Sequence, residues 1–342
     1  MTVELGQPVL PKVLVVLGNY KQSNFIADAI HSIRNQSYPH FKCVIVDDCS
    51  GDGSDLVIEE LLSRLGDDRF CFAPTPENLG QMGAMIHGLS QVDEGEFVAF
   101  IDADDFWRED YLLCHVAMHL NPVQPVAVTC SNMTLVDEGK CMQGIHVPLI
   151  RQDARAVRLI EIDSLFNRDN ILQQFAVPFD VAGRLITDPE SAWNCSATSG
   201  AVFRRAALEA TLPSKPSTIR ICADSYWVQA AHYLGGTIWI QSPLGYYRIH
   251  GSNGFSFGKL TGIGGLRWHS RQGVAEAIKG ELDAWIARNS DLLKSKGRLK
   301  PLRRLKTVEE LRMREPKWLF RGVASVFKRY LRLRDWLRGK KY

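Results

Sequence analysis

Four apolar runs of strand length, Val13–Leu17, Phe41–Val46, about 69–73 and Phe97–Ile101, are separated by three stretches of helical spacing. The first stretch places Phe25, Ile26, Ala29, Ile30 and Ile33 at three- and four-residue intervals, with Ser23 or Asn24 positioned to cap it. The second runs from about Asp55 to Leu65, and the third opens at Asn78-Leu79-Gly80 and reaches about Ser90. This alternation predicts an α/β fold with a doubly wound, mostly parallel sheet. The unbroken apolar character of each run fits strands covered on both faces. A sheet of this kind binds ligands in the crevice outside the carboxyl ends of its strands, so the residues there are the first candidates for function.

Those ends are polar. Tyr20 follows the first strand, Asp47 and Asp48 the second, and Asp102, Asp104 and Asp105 the fourth. Three carboxylates within four residues repel one another and cost stability in a dry setting. A hard divalent cation resolves the conflict, because it takes carboxylate oxygen and usually holds a substrate phosphate as well. The alternative is a solvated acidic turn capping the next helix. Asp48 likewise reads as a helix cap, and Asp47 as an interior or capping residue.

The 342 residues carry a net charge of only +3, but its distribution is uneven. Residues 294–342 hold 18 Lys/Arg and 4 Asp/Glu, a balance of +14; the remaining 293 hold 23 and 34, a balance of −11. This predicts an acidic catalytic body with a basic appendage. The eight cysteines are scattered without a Cys-X-X-Cys pair, as expected of reduced thiols in a cytoplasmic protein with no structural zinc. The amino terminus has no signal-peptide pattern, and no window approaches the roughly 18 to 20 apolar residues of a spanning helix. The chain is therefore not expected to cross a membrane.

Read in order, Val-Leu-Val-Val-Leu-Gly-Asn-Tyr, Ser-Ile-Arg-Asn-Gln-Ser-Tyr, Val-Ile-Val-Asp-Asp-Cys-Ser-Gly-Asp-Gly-Ser and Phe-Ile-Asp-Ala-Asp-Asp resemble the family 2 glycosyltransferases of the GT-A fold. The resemblance is continuous from residue 12 to about 110. It returns at Ser199–Leu208, at Ile221–Trp227 and at Tyr246-Tyr247-Arg248-Ile249-His250-Gly251-Ser252-Asn253. It implies a GT-A nucleotide-diphospho-sugar transferase core and metal-dependent, inverting transfer of one sugar. The donor would be a nucleotide diphosphate sugar, UDP-linked by expectation, and the acceptor a saccharide or lipid-linked molecule in cell-envelope or exported polysaccharide synthesis.

Roles carry over residue by residue. Asp104 falls on the final carboxylate of the family's Asp-X-Asp motif and is the expected ligand of Mn²⁺ or Mg²⁺. Asp105 stands beside it as a ligand or as a group orienting metal-bound water. His250 completes the metal site or touches diphosphate, and Arg248 contacts phosphate. Asp102 meets the donor sugar or ribose, Asp48 the base edge, and Tyr20 packs on the ring. Asp224, across the site, is the expected catalytic base; its alternative is a helix cap before Tyr226–Leu234. The chain departs from the family pattern at Gly18-Asn19-Tyr20-Lys21, at Ala84-Met85-Ile86 where an Arg is usual, and at Ala223 in place of Glu. These differences leave donor identity open.

The expected layout is a catalytic domain over 1–255, its nucleotide half about 12–125 and its acceptor half about 126–255, followed by an extension over 256–342. The acceptor half shows one clear strand, Val126–Cys130, and an irregular Arg151–Asp188. The extension opens in a segment with six glycines between Gly251 and Gly265, a lid or a plain flexible connection, continues as an amphipathic helix over Val274–Leu293, and ends in a basic amphipathic helix, Lys317–Arg338. That last helix suits an anionic membrane surface or docking on the body, whereas the acidic body disfavours nucleic acid. Two rival readings are a nucleotidyltransferase, which would want a Gly-rich basic loop after the first strand, and a non-catalytic binding module.

Overall fold

The computed structural model describes residues 9–120, 124–146, 157–161, 182–187, 195–251, 253, 272–296 and 298. The first half alternates as the sequence predicts. Strands β1 (Val13–Asn19), β2 (Phe41–Asp47), β3 (Phe70–Phe72) and β4 (Phe97–Asp102) are joined by helices α1 (Ile26–Arg34), α2 (Ser54–Leu65) and α3 (Gly80–Ser90). All four strands pair in parallel in the order β3-β2-β1-β4, with β1 in the middle.

Because successive side chains on a strand point to opposite faces, each apolar run serves two layers. Val13, Val15 and Leu17 join one core with Ile26, Ile30 and Ile33 of α1 and with helix α4 (Tyr111–His119). On the other face α3 lies so close that a Cβ on Gly88 would sit 2.5 Å from Val16 Cγ1 and 2.9 Å from Val46 Cγ2. Phe100 of β4 stacks at 5.1 Å on Trp227 of helix α6 (Ala223–Gly235). Every residue from Val13 to Leu17 and from Phe97 to Ile101 is buried. Each such aliphatic or aromatic side chain contributes roughly 1.5–3 kcal/mol relative to exposure.

The second half is mixed. Strand β5 (Phe106–Trp107) follows the acidic turn, and β6 (Val128–Asp137) extends the strand expected at Val126–Cys130. Then come β7 (Met142–His146), β8 (Val157–Glu161), β9 (Ala182–Ile186), β10 (Ala201–Arg204) leading into the short helix α5 (Arg205–Glu209), and β11 (Thr237–Ile249). The sheet continues from β4 as β10-β6-β11-β9-β8, with β10 antiparallel to both β4 and β6 and β11 parallel to β6. No strand was expected over Thr237–Ile249: Pro243 and Gly245 interrupt the apolar pattern, and the register against β6 shifts at both positions.

Three local expectations change. The residue preceding α1 is Phe25, with no side-chain cap, so neither Ser23 nor Asn24 caps it. The helix expected over Val274–Leu293 breaks at Asn289 into α7 (Gln272–Arg288) and α8 (Ser290–Ser295). Nor is α7 part of a separate extension. Its Trp285 is buried and donates to Ala210 O at 2.8 Å, and its buried Glu281 accepts from Ser214 N (2.8 Å) and Lys215 N (3.2 Å). These contacts fasten α7 to the loop before α6, and the chain divides into compact units 1–303 and 304–342 rather than at residue 255. Residues 254–271, most of 151–188 and the helix expected at 317–338 lie outside the described residues. No helix among the described residues is long and apolar enough to cross a membrane. No disulfide joins the eight cysteines, all of which are described.

Candidate active site

The carboxyl ends of β1, β2 and β4 meet at one edge. Asp48 N donates to Asn19 O (2.9 Å) and Ala103 N to Gly18 O (2.9 Å), so Tyr20, Asp48 and the acidic turn are neighbours there. Tyr20 is 46% exposed, the only large aromatic ring so presented among the described residues. Asp47 faces inward, as the sequence suggests, accepting from Asn19 Nδ2 (2.5 Å) and from Ser50 N (3.0 Å) and Oγ (2.5 Å).

Asp48 is more committed than its expected base-edge role requires. Its carboxylate accepts from Thr75 Oγ1 (3.0 Å), Leu79 N (2.8 Å) and Gly80 N (2.8 Å), and the residue is buried. It therefore caps α3, a helix that begins 32 residues downstream, rather than the helix that follows it in sequence.

The three carboxylates after β4 diverge. Asp104 turns toward β11, where its Oδ2 lies 3.0 Å from His250 Nε2 and 3.2 Å from Asn253 Nδ2. Asp105 does not accompany it. Asp105 is buried, and its two oxygens accept from Ser199 Oγ (2.6 Å) and Arg248 N (3.1 Å). Burial, then the charges of Asp104 and Asp102, push its carboxyl well above the usual range. It locks the turn to β11 instead of offering a metal ligand. Asp102 stays at the crevice, its carboxyl raised to about 7 by burial and then by Asp104 and Asp224.

Arg248 also changes role. Only 2% of its side chain is exposed, its Nε donates to Asp104 O (3.0 Å), and its Nη2 pairs with Asp28 of α1 (2.7 Å). The guanidinium lies between the rings of Phe25 (4.8 Å) and Phe106 (5.1 Å). An arginine so engaged braces the backbone of Asp104 from behind and is not presented to a phosphate.

Asp224 is in the first turn of α6, partly exposed to the crevice. Burial lifts its carboxyl to about 6 against hydrogen bonds from Ser225 N (2.8 Å) and the Thr198 hydroxyl. Across the crevice, Gln81 Nε2 donates to Asp102 Oδ1 (3.2 Å) while its Oε1 accepts from Ala223 N (3.0 Å), next to Asp224. The structure therefore brings Asp102, Asp104, His250 and Asp224 to one crevice. It adds Ser199 and Asn253 around the acidic turn and Asp28 behind Arg248; Ser199 and Asn253 fall in stretches that resemble the family, while nothing in the sequence pointed to Asp28.

No group of three or more His, Cys, Asp and Glu converges as a metal cluster among the described residues. The pair Asp104–His250 nonetheless suits a hard divalent cation. Asp104 Oδ2 and His250 Nε2 lie 3.0 Å apart as a hydrogen-bonded pair, so a cation held there would take the carboxylate oxygen and the imidazole nitrogen in place of that bond. Such ions are commonly held by one or two protein ligands together with substrate phosphates, so a two-residue site is adequate.

Residues 14–155 match the model of glycosyl transferase family 2. Over 243 residues the chain is 30% identical to an uncharacterized glycosyltransferase of Nostoc sp., covering 71% of this chain and 66% of that relative. Shorter matches join it to the poly(ribitol-phosphate) beta-N-acetylglucosaminyltransferase TarS of Staphylococcus aureus (29% identity; 30% of this chain, 18% of the relative). Another is to the amylovoran biosynthesis glycosyltransferase AmsB of Erwinia amylovora (32% identity; 29% of this chain, 32% of the relative). The chain thus spans less than two thirds of the length of these curated relatives. Among solved structures, S. aureus TarS 1–349 in complex with UDP-GlcNAc superposes with a TM-score of 0.51 at 17% identity, covering 84% of this chain and 74% of that one. That likeness is one of fold, and the fold is GT-A. With the acidic crevice in the place this architecture reserves for ligands, the chain belongs to the family 2 glycosyltransferases.

Proposed function

We propose that this chain transfers a single sugar, with inversion, from a nucleotide diphosphate sugar to a saccharide or lipid-linked acceptor in envelope polysaccharide synthesis. One observation carries the reading: Asp224, a carboxylate raised to about 6 by burial, stands in the first turn of α6, whose first N–H is tied through the Gln81 amide to the donor-side Asp102. Displacement at an anomeric carbon needs a base on the acceptor side and charge neutralisation on the leaving-group side. Asp224 takes the proton from the acceptor hydroxyl as its oxygen attacks, and a pKa of about 6 keeps it ionised yet basic near neutrality. Asp104 and His250 would hold Mn²⁺ or Mg²⁺, which when bound offsets the charge of the departing diphosphate. Asp102 orients the donor sugar or ribose, and the exposed Tyr20 ring offers a stacking face to the base.

The names of relatives support the envelope assignment, since TarS acts on poly(ribitol-phosphate) and AmsB is named for amylovoran biosynthesis. The TarS complex with UDP-GlcNAc makes UDP sugars the first donors to try. The +14 balance over residues 294–342 supports peripheral contact with anionic lipid on the cytoplasmic leaflet. The deciding experiment is release of UDP from UDP-glucose, UDP-galactose and UDP-GlcNAc with Mn²⁺ and with chelator. Metal-dependent release from one of them is expected; no release and no UDP binding by calorimetry overturns the reading.

A further inference from the structure

The Gln81 side chain reaches from the donor-side wall of the crevice to the start of the helix that carries the other wall. Gln81 is the second residue of α3. Its Nε2 donates to Asp102 Oδ1 (3.2 Å) at the end of β4 and approaches Thr198 Oγ1 (3.4 Å); its Oε1 accepts from Ala223 N (3.0 Å), the first residue of α6. Asp224 is the next residue along. One amide group therefore spans from the donor-side carboxylate to the peptide that starts the base-bearing helix.

The backbone around it makes the span short and fixed. Gln81 N donates to Arg220 O (2.8 Å), so the loop entering α6 is tied to the first turn of α3. Gly80, at φ +75°, admits that loop: a Cβ there would sit 2.9 Å from both Cα and O of Arg220. Cys222 adopts the left-handed region (φ 61°, ψ 39°) immediately before α6. The chain enters that helix through a sharp turn, with the first N–H on Gln81.

The chemistry selects an amide of this length. The position needs a donor toward a carboxylate and an acceptor toward a peptide N–H, and a side chain carrying both is Gln or Asn. Asn is one methylene shorter. Glu would keep the acceptor but set a like charge against Asp102. Leu would fill the volume and leave Ala223 N without its partner.

We propose that Gln81 is a positioning residue, setting the separation of Asp224 from Asp102 and hence the line along which the acceptor oxygen reaches the anomeric carbon. This rests on the transferase reading above, with Asp224 as its base. Displacement of a catalytic group by about 1 Å costs on the order of 10²-fold in rate.

The test is a double-mutant cycle on the full chain: wild type, Gln81→Leu, Asp224→Asn and both together. The readouts are Mn²⁺-dependent UDP release from the most active of the three UDP sugars, with water as acceptor, calorimetric affinity for UDP with Mn²⁺, and Tm. Gln81→Leu is expected to slow turnover 10- to 100-fold with UDP affinity within threefold and Tm within a few degrees. It should add no further loss in the Asp224→Asn background, because it acts through that residue. Gln81→Asn should recover less than tenfold of the loss. Multiplicative losses in the double mutant, or loss of UDP affinity in step with turnover, overturn the proposal. So does near-normal turnover of Gln81→Leu. If instead wild type releases no UDP and Asp224→Asn changes nothing, the transferase reading is what has failed.

Discussion

The two acidic walls of the crevice are held in opposite ways. The turn Asp102–Asp105 is braced from distant parts of the chain: Asp105 by Ser199 and Arg248 N, Asp104 by His250 and Asn253, and its backbone by Arg248, itself paired with Asp28. The Asp224 carboxylate accepts at its own helix start, from Ser225 N (2.8 Å), and distant support reaches it only through the backbone, where Gln81 takes Ala223 N. The difference follows from what each must do. A cation is bound well only if its ligands keep a fixed separation, which rewards cross-bracing. A base must keep its pKa near neutrality, and every donor aimed at the carboxylate lowers it. Asp224 stays near 6 because burial outweighs its few donors.

The sharpest way to break this comparison is Asp224→Asn. If Asp224 is the base, UDP release should fall at least 10²-fold while UDP affinity stays within threefold. Near-normal turnover would return Asp224 to the role of helix cap. Next in size is Asp104→Ala, expected to remove most of the Mn²⁺-dependent part of UDP affinity, tenfold or more, by calorimetry with and without the metal. Equal affinities in wild type and variant would detach the acidic turn from metal binding.

Arg248→Gln probes the brace alone. It leaves Asp28 without its buried partner and frees the carbonyl of Asp104, so Mn²⁺ affinity should weaken by about tenfold. Raising Mn²⁺ should then restore turnover. A defect that saturating metal does not correct would place Arg248 on the substrate after all.

The smallest effect is that of pH. Asp224 must be ionised to act, and its carboxyl lies at about 6. Turnover per bound donor should therefore be level above pH 7 and fall toward tenfold per unit below 6, reaching about a tenfold loss at pH 5. A profile flat to pH 5 would assign the base elsewhere.

The nucleotide half was legible because β1, β2 and β4 are almost wholly buried and each helix packs beside its sequence neighbours. β1, β2, β4 and α3 appear where their apolar runs and the Asn-Leu-Gly turn place them. Legibility stops where partners are distant. Nothing near Asp48 announces that its carboxylate caps Leu79 N and Gly80 N. Arg248 reads as a free cation until Asp28, 220 residues away, is set beside it. In the acidic triplet, spacing gave the cluster but not its division into a crevice residue, a metal ligand and an interior lock. That division depends on which oxygen meets β11, and β11 was hidden by Pro243 and Gly245.

The position of β10 bears on how this protein comes to be made. Phe97–Ile101 of β4 pairs on one side with β1, already synthesised, and on the other with Ala201–Arg204, about a hundred residues later. While a ribosome translates the intervening stretch, β1 to β4 can already assemble, but the outer edge of β4 presents open backbone groups flanked by apolar side chains. At roughly 5–20 residues per second that interval lasts about 5–20 s. Through it, the edge of the strand that ends in the acidic turn is open to pairing with a neighbouring chain.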